Sequence, residues 1–597
     1  YVGDFSKWVN NRDTTEIGIT KSNSKVIIDV KVSQGSGKNI VFISKSNLGI
    51  SNNVTIKITS TYPEGVMKFA NSASNKYLKL PSNGIITLQD NPEYTSNEMH
   101  LHLASADLGQ ITIEQLPLYP GALVFDGVDD YGVCENFPIL TKEKGYTVVA
   151  LRQWITRGER ALGLVSNVKN WLNNGAFLLE YRNIQADHLN KPISFGAIGS
   201  ENDLPHILTY QTSKSYNGVS ITTGNFEGTD VLHVGKLAPT NVGTCINAAI
   251  WELVFLDHDA TEEELTKIKD YFVKTYPWLF PDQAWTVVGK TNEDEDRTTI
   301  ANITGNGNDL VLSNFGFAEG SGYGLYAENY AGGRWVQSTD RADLTWTSYS
   351  VNITSVKVAS TQLYYQSYPE QPSFTVPSYK IKVYGLKDGQ TLSYKQVTSE
   401  GQQIYKISED GTYTLPSFPF KANGDWYGFT LNKVQESCDI TIEQIPEYEG
   451  YLVTDGVDDK IVSSSFEMGK DFTIVGDWKF IDNKKSGTGL VKGSSFYIYN
   501  TMTGLDLYIN SGSVTNSLDG IKSINAACSD GRAYDRNWNE ILANTGNVVG
   551  SGGTLEVSSS GGRFDRIAFK NLAIYPRILS KDDCIKAYNY LQTLKSK

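Results

Sequence analysis

Cysteine, methionine and histidine are scarce in this chain of 597 residues, with 5, 4 and 6 copies. The cysteines form no CxxC pair and no recurring spacing, which argues against a zinc site and against a disulfide framework. We expect isolated core thiols at Cys134, Cys245, Cys438, Cys528 and Cys584. A Cys134–Cys245 bridge is the alternative, because sequence does not give the Cα separation that a bridge needs.

Basic residues are not in excess, and long apolar runs do not occur. The formal charge of −13 and the pI near 5.1 leave no basic footprint for phosphates, so we expect no nucleic-acid partner. No run approaches the roughly 18 consecutive apolar residues of a membrane span, and no charged segment followed by an apolar stretch opens the chain. We therefore expect no membrane insertion.

The abundant residues are those of strands and turns. The chain contains 54 Gly and 34 Tyr, and 40% of its residues are hydrophobic, an ordinary fraction for a folded protein. At about 100–200 residues per domain, the length suggests three to five domains. The composition predicts an all-β fold.

An internal repeat is the strongest signal in the sequence. ITIEQLPLYPGALVFDGVDD at 111–130 and ITIEQIPEYEGYLVTDGVDD at 440–459 are identical at 15 of 20 positions, at an offset of 329. Upstream, VTIKI from Val54 matches YKIKVYG from Tyr379, and both alternate apolar and polar residues as half-buried strands do. The chain is therefore a tandem duplication.

The end of each copy predicts a strand followed by a short helix. Thr261 with Glu264, and Ser580 with Asp583, have the spacing of a helix N-cap and its third residue. The first helix should end at Tyr276, because a proline follows.

The repeat divides the chain into five segments. Tyr1 to Trp8 resembles Tyr326 to Trp335, whereas 285–325 has no counterpart before Tyr1, so we expect a piece of a longer protein that starts inside a repeat. The predicted segments are an irregular β domain at 1–119, a sandwich at 120–280, a Gly/Asn-rich segment at 281–325, a second irregular β domain at 326–449 and a second sandwich at 450–597.

The strand LVFDGVDDYGV at 123–133, with the closing strand and helix start, resembles the laminin-G-like jelly rolls of the concanavalin family. The resemblance covers 120–280 and 450–597 and implies two lectin-like jelly rolls. In that family a GNGND stretch lies shortly before this strand, and here it occurs at 305–309, far from Asp455. Either the second irregular domain is inserted into the second jelly roll, so that 285–325 belongs to it, or 281–325 is a linker.

The whole repeat, with WTVVGKTNEDEDR from Trp285 and the GNGND stretch, is similar to multi-repeat proteins of gut Bacteroidales and of their phages. This resemblance implies a protein of a virion surface or of the bacterial extracellular surface, built as an array, and it names no ligand.

Two acidic clusters are shared by the copies. Clustered carboxylates can hold a hard cation such as calcium. The alternative, which we prefer, is that each Asp-Gly forms a turn and that the carboxylates accept local backbone N–H groups. The residues are Asp126, Asp129 and Asp130 in the first copy and Asp455, Asp458 and Asp459 in the second.

A glycoside hydrolase of the concanavalin class would need two carboxylates on one face. The E-x-D-x-E strand of those enzymes is absent, and Glu293 to Asp296 suit a solvated charged loop better. All six histidines fall in the first copy, so no histidine-dependent mechanism belongs to the repeat; His100 and His102 alternate on a predicted strand without a third metal ligand nearby in sequence. We expect no enzyme and no cofactor other than a possible calcium.

Binding is the activity that remains, because aromatic rings stack on the apolar faces of sugars. The candidate glycan-binding residues are Trp171 and Tyr181 in the first jelly roll and Tyr497, Tyr499 and Tyr508 in the second. Trp154 and Trp478 end comparable alternating strands and are expected in the sandwich core.

The sequence thus favours a non-enzymatic, modular surface protein, a phage fibre or tail-associated component that contacts host glycans or other virion proteins. A bacterial glycan-binding protein or adhesin is the alternative, and a glycoside hydrolase a minor one. A homo-oligomer is compatible with each.

Overall fold

The computed structural model describes most of the chain, in many separate stretches. The described residues are 1–597 except 2, 11–14, 34–35, 45–53, 71–76, 89–97, 106–107, 141–142, 157–161, 167–177, 182–207, 217, 221–228, 237–244, 318–319, 339, 366–372, 388, 399–400, 421–424, 483–487, 493–495, 501–503, 510–516, 520–523, 543–550, 558, 561–562 and 597.

The first domain, residues 1–119, is a sandwich of two antiparallel sheets, more regular than the sequence suggested. One sheet has the order β1-β4-β9-β6-β7 and the other β2-β3-β10-β5-β8 once the strands are numbered along the chain. The ten strands are Val9–Asn10, Ile17–Lys21, Lys25–Val30, Ser36–Ser44, Val54–Ser60, Met67–Ala70, Tyr77–Lys79, Asn83–Leu88, Glu98–Ser105 and Gly109–Gln115. Alternate residues of the central strands face a common core, as the period of two predicts.

The first jelly roll, residues 120–280, also consists of two sheets. Its strands β11 to β20 are Leu123–Asp126, Gly132–Cys134, Thr147–Thr156, Leu162–Ser166, Leu178–Tyr181, Leu208–Thr212, Ser215–Tyr216, Val219–Ser220, Leu232–Val234 and Asn247–Leu256. The sheet orders are β11-β20-β13-β16-β17-β18 and β12-β19-β14-β15. Helix α1, Glu262–Thr275, and a 3-10 turn at Pro277–Leu279 follow.

The segment 281–325 contributes four short strands, and every one pairs with the second jelly roll or with a strand that does. These are β21 (Gln283–Thr286), β22 (Thr299–Ile300), β23 (Leu310–Ser313) and β24 (Gly322–Tyr323).

The domain at 326–449 repeats the first domain strand for strand. Its sheets have the orders β25-β28-β35-β31-β32 and β26-β27-β36-β30-β33, and β29 pairs with β34 as an added ribbon. The strands β25 to β36 are Trp335–Gln337, Ala342–Trp346, Ser350–Val356, Thr361–Tyr365, Phe374–Val376, Tyr379–Tyr384, Leu392–Thr398, Gly401–Ile407, Gly411–Leu415, Phe418–Phe420, Trp426–Leu431 and Ile440–Ile445.

The second jelly roll, residues 450–597, ends in helix α2, Lys581–Leu591. Its main sheets have the orders β24-β37-β52-β40-β45-β46-β47, with β21 also on β52, and β22-β23-β38-β49-β41-β42-β43-β44. The strands β37 to β52 are Leu452–Val453, Lys460–Ser463, Phe466–Met468, Thr473–Asp482, Thr488–Lys492, Phe496–Asn500, Gly504–Ile509, Ser517–Asp519, Ile524–Cys528, Arg532–Asp535, Glu540–Leu542, Ser551–Gly553, Glu556–Val557, Ser559–Ser560, Arg563–Phe564 and Arg566–Tyr575. The protein is all-β apart from its short helices, as the composition predicted.

The ladder contact on which the insertion interpretation depends is present. Strand β23 pairs with β38 in antiparallel register, from Leu310 opposite Ser463 to Ser313 opposite Lys460. Strand β21 pairs with β52, and β24 pairs with β37. Strands β21 to β24 therefore lie in the two sheets of the second jelly roll, although a whole sandwich domain separates them from it in sequence.

Both helices begin at the predicted caps. The Thr261 hydroxyl accepts from the backbone N–H of Glu264 at 3.2 Å, and the Glu264 carboxylate accepts from the backbone N–H of Thr261 at 2.8 Å. Helix α1 ends at Thr275, with Tyr276 as its C-cap. In the second copy the Ser580 hydroxyl accepts from the N–H of Asp583 at 3.1 Å. No helix in the described part of the chain has the length and apolarity needed to span a bilayer.

Replacing the first cap should loosen helix α1 locally. Thr261→Ala leaves the N–H of Glu264 without its acceptor, which is expected to cost about 1 kcal/mol. Hydrogen exchange of the amides in the first turn of α1 should speed up roughly fivefold. Thr266→Ala, which removes a hydroxyl that donates to the Glu262 carbonyl within the helix, is the control. Unchanged exchange in Thr261→Ala would contradict the assigned cap.

Candidate functional site

The two Asp-Gly-x-Asp-Asp segments form the same turn in both copies. In the first, the N–H of Val128 donates to the Asp126 carboxylate at 2.7 Å, and the N–H of Asp126 donates to the Asp130 carboxylate at 3.1 Å. In the second, Val457 donates to Asp455 at 2.7 Å, and Asp455 donates to Asp459 at 2.7 Å. These are the local hydrogen bonds that the turn interpretation requires.

Glycine is needed at the second position of each turn. Gly127 and Gly456 have φ values of +81° and +76°, where a side chain is strained. A Cβ on Gly127 would also lie 2.9 Å from the Cβ of Asn247.

The two turns differ in their burial. Asp126, Asp129 and Asp130 are exposed, whereas Asp459 is 1% exposed. The segment at 281–325 contributes to this difference, because the Ser321 hydroxyl contacts Asp459 at 3.5 Å and the Asn314 amide donates to the Asp458 carbonyl at 3.0 Å. Burial raises the pKa of the Asp459 carboxyl to about 7.

In each triad, three carboxylate oxygens lie within 4.8 Å of one another. Among the described residues, these two triads are the acidic clusters that meet this distance. Calcium takes six to eight oxygens, so three carboxylates would leave at least half of its ligands to water or backbone carbonyls. Asp455 and Asp459 already accept backbone N–H groups through at least one oxygen each. Calcium binding by these residues therefore stays a prediction, and the turn accounts for their hydrogen bonds without it.

The buried carboxyl predicts a distinct pH dependence. Because the pKa of Asp459 rises from 3.8 to about 7 on folding, the folded state holds more protons than the unfolded state between these values. The contribution of Asp459 to the stability of the second jelly roll should be greatest below about pH 4. It should fall as the pH rises through about 7. Asp459→Asn should remove that decline in urea titrations from pH 5 to 8, and Asp130→Asn at the exposed counterpart should not. A decline that persists in Asp459→Asn, or one abolished by millimolar calcium in the parent chain, would contradict the turn interpretation.

The aromatic candidates do not occupy equivalent positions in the two copies. Tyr181 lies in β15 opposite Leu162, and Tyr499 lies in β42 opposite Gly489. By register, the counterpart of Tyr499 in the first copy is Glu180. Tyr497 lies directly opposite Tyr508 of β43. Trp171 lies outside the described residues.

Trp154 and Trp478 are both buried, as predicted, at 4% and 2% exposure. Their positions are not equivalent, however. Trp154 lies opposite Ala248 and Trp478 opposite Phe569, so register aligns Trp154 with Phe480 and Trp478 with Arg152. Sequence spacing shows the same difference, because Trp154 is seven residues after Thr147 and Trp478 is five residues after the matching Thr473.

The expectation of isolated core thiols is wrong in part. All five cysteines are free, so the Cys134–Cys245 bridge is not present, and Cys134 is exposed. Cys528 at the end of β45 and Cys584 in the first turn of α2 are both buried and hydrogen-bond to each other. They are far apart in sequence, so no spacing rule could reveal their contact.

The remaining sequence candidates form no site in the described residues. His100 and His102 lie in β9 and are half-buried. Glu293, Glu295 and Asp296 are exposed, as a charged loop predicts. Glu293 accepts from the Ser348 hydroxyl at 2.5 Å, so the loop also holds the second jelly roll to the preceding domain.

Sequence reasoning missed a buried carboxylate in the second leading domain, residues 326–449. Glu328 is 6% exposed and accepts from Trp335 Nε1 at 3.1 Å and from the Tyr427 hydroxyl at 2.7 Å. The alignment of Tyr1–Trp8 with Tyr326–Trp335 distinguishes Glu328, because the matching residue of the first copy is a glycine, Gly3.

Comparisons with solved structures give partial, low-scoring matches. The Trypanosoma rangeli sialidase in complex with sialic acid has a TM-score of 0.19 and 10% identity, over 49% of this chain and 67% of that chain. The N-terminal CBM22-1-CBM22-2 tandem domain from Paenibacillus barcinonensis Xyn10C has a TM-score of 0.13 and 10% identity, over 40% of this chain and 92% of that chain. No family model and no curated protein matches. Scores at this level carry no argument about function.

Proposed function

We propose that the chain is a non-enzymatic, modular surface protein whose jelly rolls present glycan contacts on a repeated scaffold, as a phage fibre or tail-associated virion component. The observation that carries the proposal is that the two copies share one frame. The shared parts are the sandwich sheets, the capped helix and the Asp-Gly turn. The aromatic candidates and the histidines differ. A repeated frame with variable surface residues suits multivalent contact.

A glycan array probed with the full chain tests this proposal. We expect binding to at least one surface glycan, weakened at least tenfold by Tyr497→Ala combined with Tyr508→Ala. Tyr384→Ala, at an exposed tyrosine of the preceding domain, is the control. An array without signal at high protein concentration would contradict glycan binding. Release of reducing sugar that a carboxylate substitution abolishes would contradict the non-enzymatic role.

Oligomeric state distinguishes the fibre from the bacterial adhesin. A symmetric trimer in solution would support a fibre. A monomer encoded beside genes for surface transport, rather than beside portal or capsid genes, would favour the adhesin.

A further inference from the structure

The two jelly rolls differ at one edge. Strands β37, β52 and β40 of the second correspond to β11, β20 and β13 of the first, and β38 and β49 correspond to β12 and β19. The four strands from 283–323 have no counterpart in the described part of the first jelly roll. There, β11 and β12 are the terminal strands of their sheets.

Apolar residues at matching positions are buried in one copy and exposed in the other. Leu123 and Val124 in β11 are 65% and 44% exposed, whereas Leu452 and Val453, at the matching positions, are 0% exposed. Ile139 is 57% exposed, and its counterpart Met468 is 7% exposed. An apolar surface of this kind beside an open strand edge is unusual in a finished sandwich, because both features favour association.

In the second copy, the segment 283–325 covers this surface. Gly322 and Tyr323 pair with Val453 and Leu452 along the backbone. Trp285, Leu310 and Leu312 belong to the same hydrophobic core as Leu452 and Met468.

The pairing also extends along the closing strand. Gln283–Thr286 pairs with the second half of β52, whose residues 571–575 are buried. The matching half of β20, residues 252–256, is only half-buried. Three strand edges that the segment occupies in the second copy thus have no strand on them in the described part of the first.

We propose that this open edge of the first jelly roll binds a separate polypeptide segment of the same kind as 283–325, which adds strands to both sheets. Backbone hydrogen bonds along β11 and β12 would hold the segment, and Leu123, Val124 and Ile139 would receive its apolar side chains. The segment 283–325 of this chain closes its own second jelly roll, so the proposed ligand is a further segment of the same kind. This inference does not depend on glycan binding.

A synthetic peptide of residues 281–325, titrated into the full chain, tests the proposal. We expect one peptide bound per chain by calorimetry. Hydrogen exchange should slow in Leu123–Asp126 and Gly132–Cys134. A peptide with Leu310→Asp and Leu312→Asp should bind at least tenfold more weakly, because both leucines are buried in the closed copy.

Variants of the chain locate the binding surface. Leu123→Asp with Ile139→Asp should weaken binding at least tenfold and leave the thermal midpoint unchanged, because both side chains are exposed. Val457→Asp, at a 66% exposed position of the second jelly roll, is the control. No binding, or protection of Leu452–Val453 instead, would overturn the proposal. A second outcome would also overturn the proposal: the peptide fails to bind, and the chain self-associates in a way that Leu123→Asp abolishes. The occupant would then be a second copy of the chain.

Discussion

Trp285→Ala is expected to lower the free energy of unfolding of the second jelly roll by about 3–5 kcal/mol, the usual cost of removing a large buried aromatic side chain. Trp285 is 0% exposed, and its ring lies 6.3 Å from that of Phe466. Its Nε1 donates to the Asn308 carbonyl at 2.9 Å. The substitution would therefore leave a cavity in the core of a domain that lies more than 160 residues further on, and would remove the hydrogen bond to the half-buried Asn308 carbonyl.

The stability of each domain is measured by denaturant titration with hydrogen exchange as the readout, because the domains of a long chain can unfold separately. Protection should fall in β37, β38 and β52 and stay unchanged in the first jelly roll. Val311→Ala lies in the same segment at a 52% exposed position and should change stability by about 0.5 kcal/mol or less. Equal, small effects of both substitutions would show that the segment is a linker that the second jelly roll does not need.

Local patterns predicted the elements that depend on local chemistry. Period-two alternation identified Val54–Ser60 and Tyr379–Tyr384 as strands, and cap spacing located the starts of both helices. The tandem repeat predicted two copies of one frame. These features follow from a few consecutive side chains, so sequence is sufficient for them.

Features set by distant segments could not be predicted with the same security. The turn DGVDD has one sequence in both copies, yet Asp130 is exposed and Asp459 is buried. The environment that distinguishes them is supplied from about 140 residues away, through Ser321.

The strand register shows that several apolar positions of the first domain are tyrosines in the domain at 326–449, which also has the buried Glu328. Gly3 and Glu328 are equivalent, because each exchanges backbone hydrogen bonds with the side chain of the matching glutamine, Gln115 or Gln444. Register and the repeat alignment then pair the apolar residues of the first copy with tyrosines of the second. The pairs are Phe5 with Tyr330, Val54 with Tyr379, Phe69 with Tyr394 and Met99 with Tyr427.

The carboxylate and its donors depend on one another. Trp8 Nε1 has no hydrogen-bond partner among the described residues, whereas Trp335 Nε1 donates to Glu328. Burial and the nearby Glu328 carboxylate hold the pKa of the Tyr427 hydroxyl well above its usual value, so it remains a donor. Hydrogen bonds to a charged group contribute about 1.5–3 kcal/mol each.

Glu328→Ala is therefore expected to destabilise the domain at 326–449 by about 3–4 kcal/mol, because it leaves two buried donors unsatisfied. Tyr427→Phe alone should cost about 1.5–3 kcal/mol. The double variant should lose at least about 1 kcal/mol less stability than the sum of the two single variants. The reason is that Tyr427→Phe removes a donor whose acceptor Glu328→Ala has already removed. Denaturant titration of the four chains gives this coupling, and Glu409→Ala, at an exposed residue of the same domain, is the control. Additive effects would show that Glu328 and Tyr427 stabilise the core independently, and that the tyrosines replaced apolar residues for reasons other than the carboxylate.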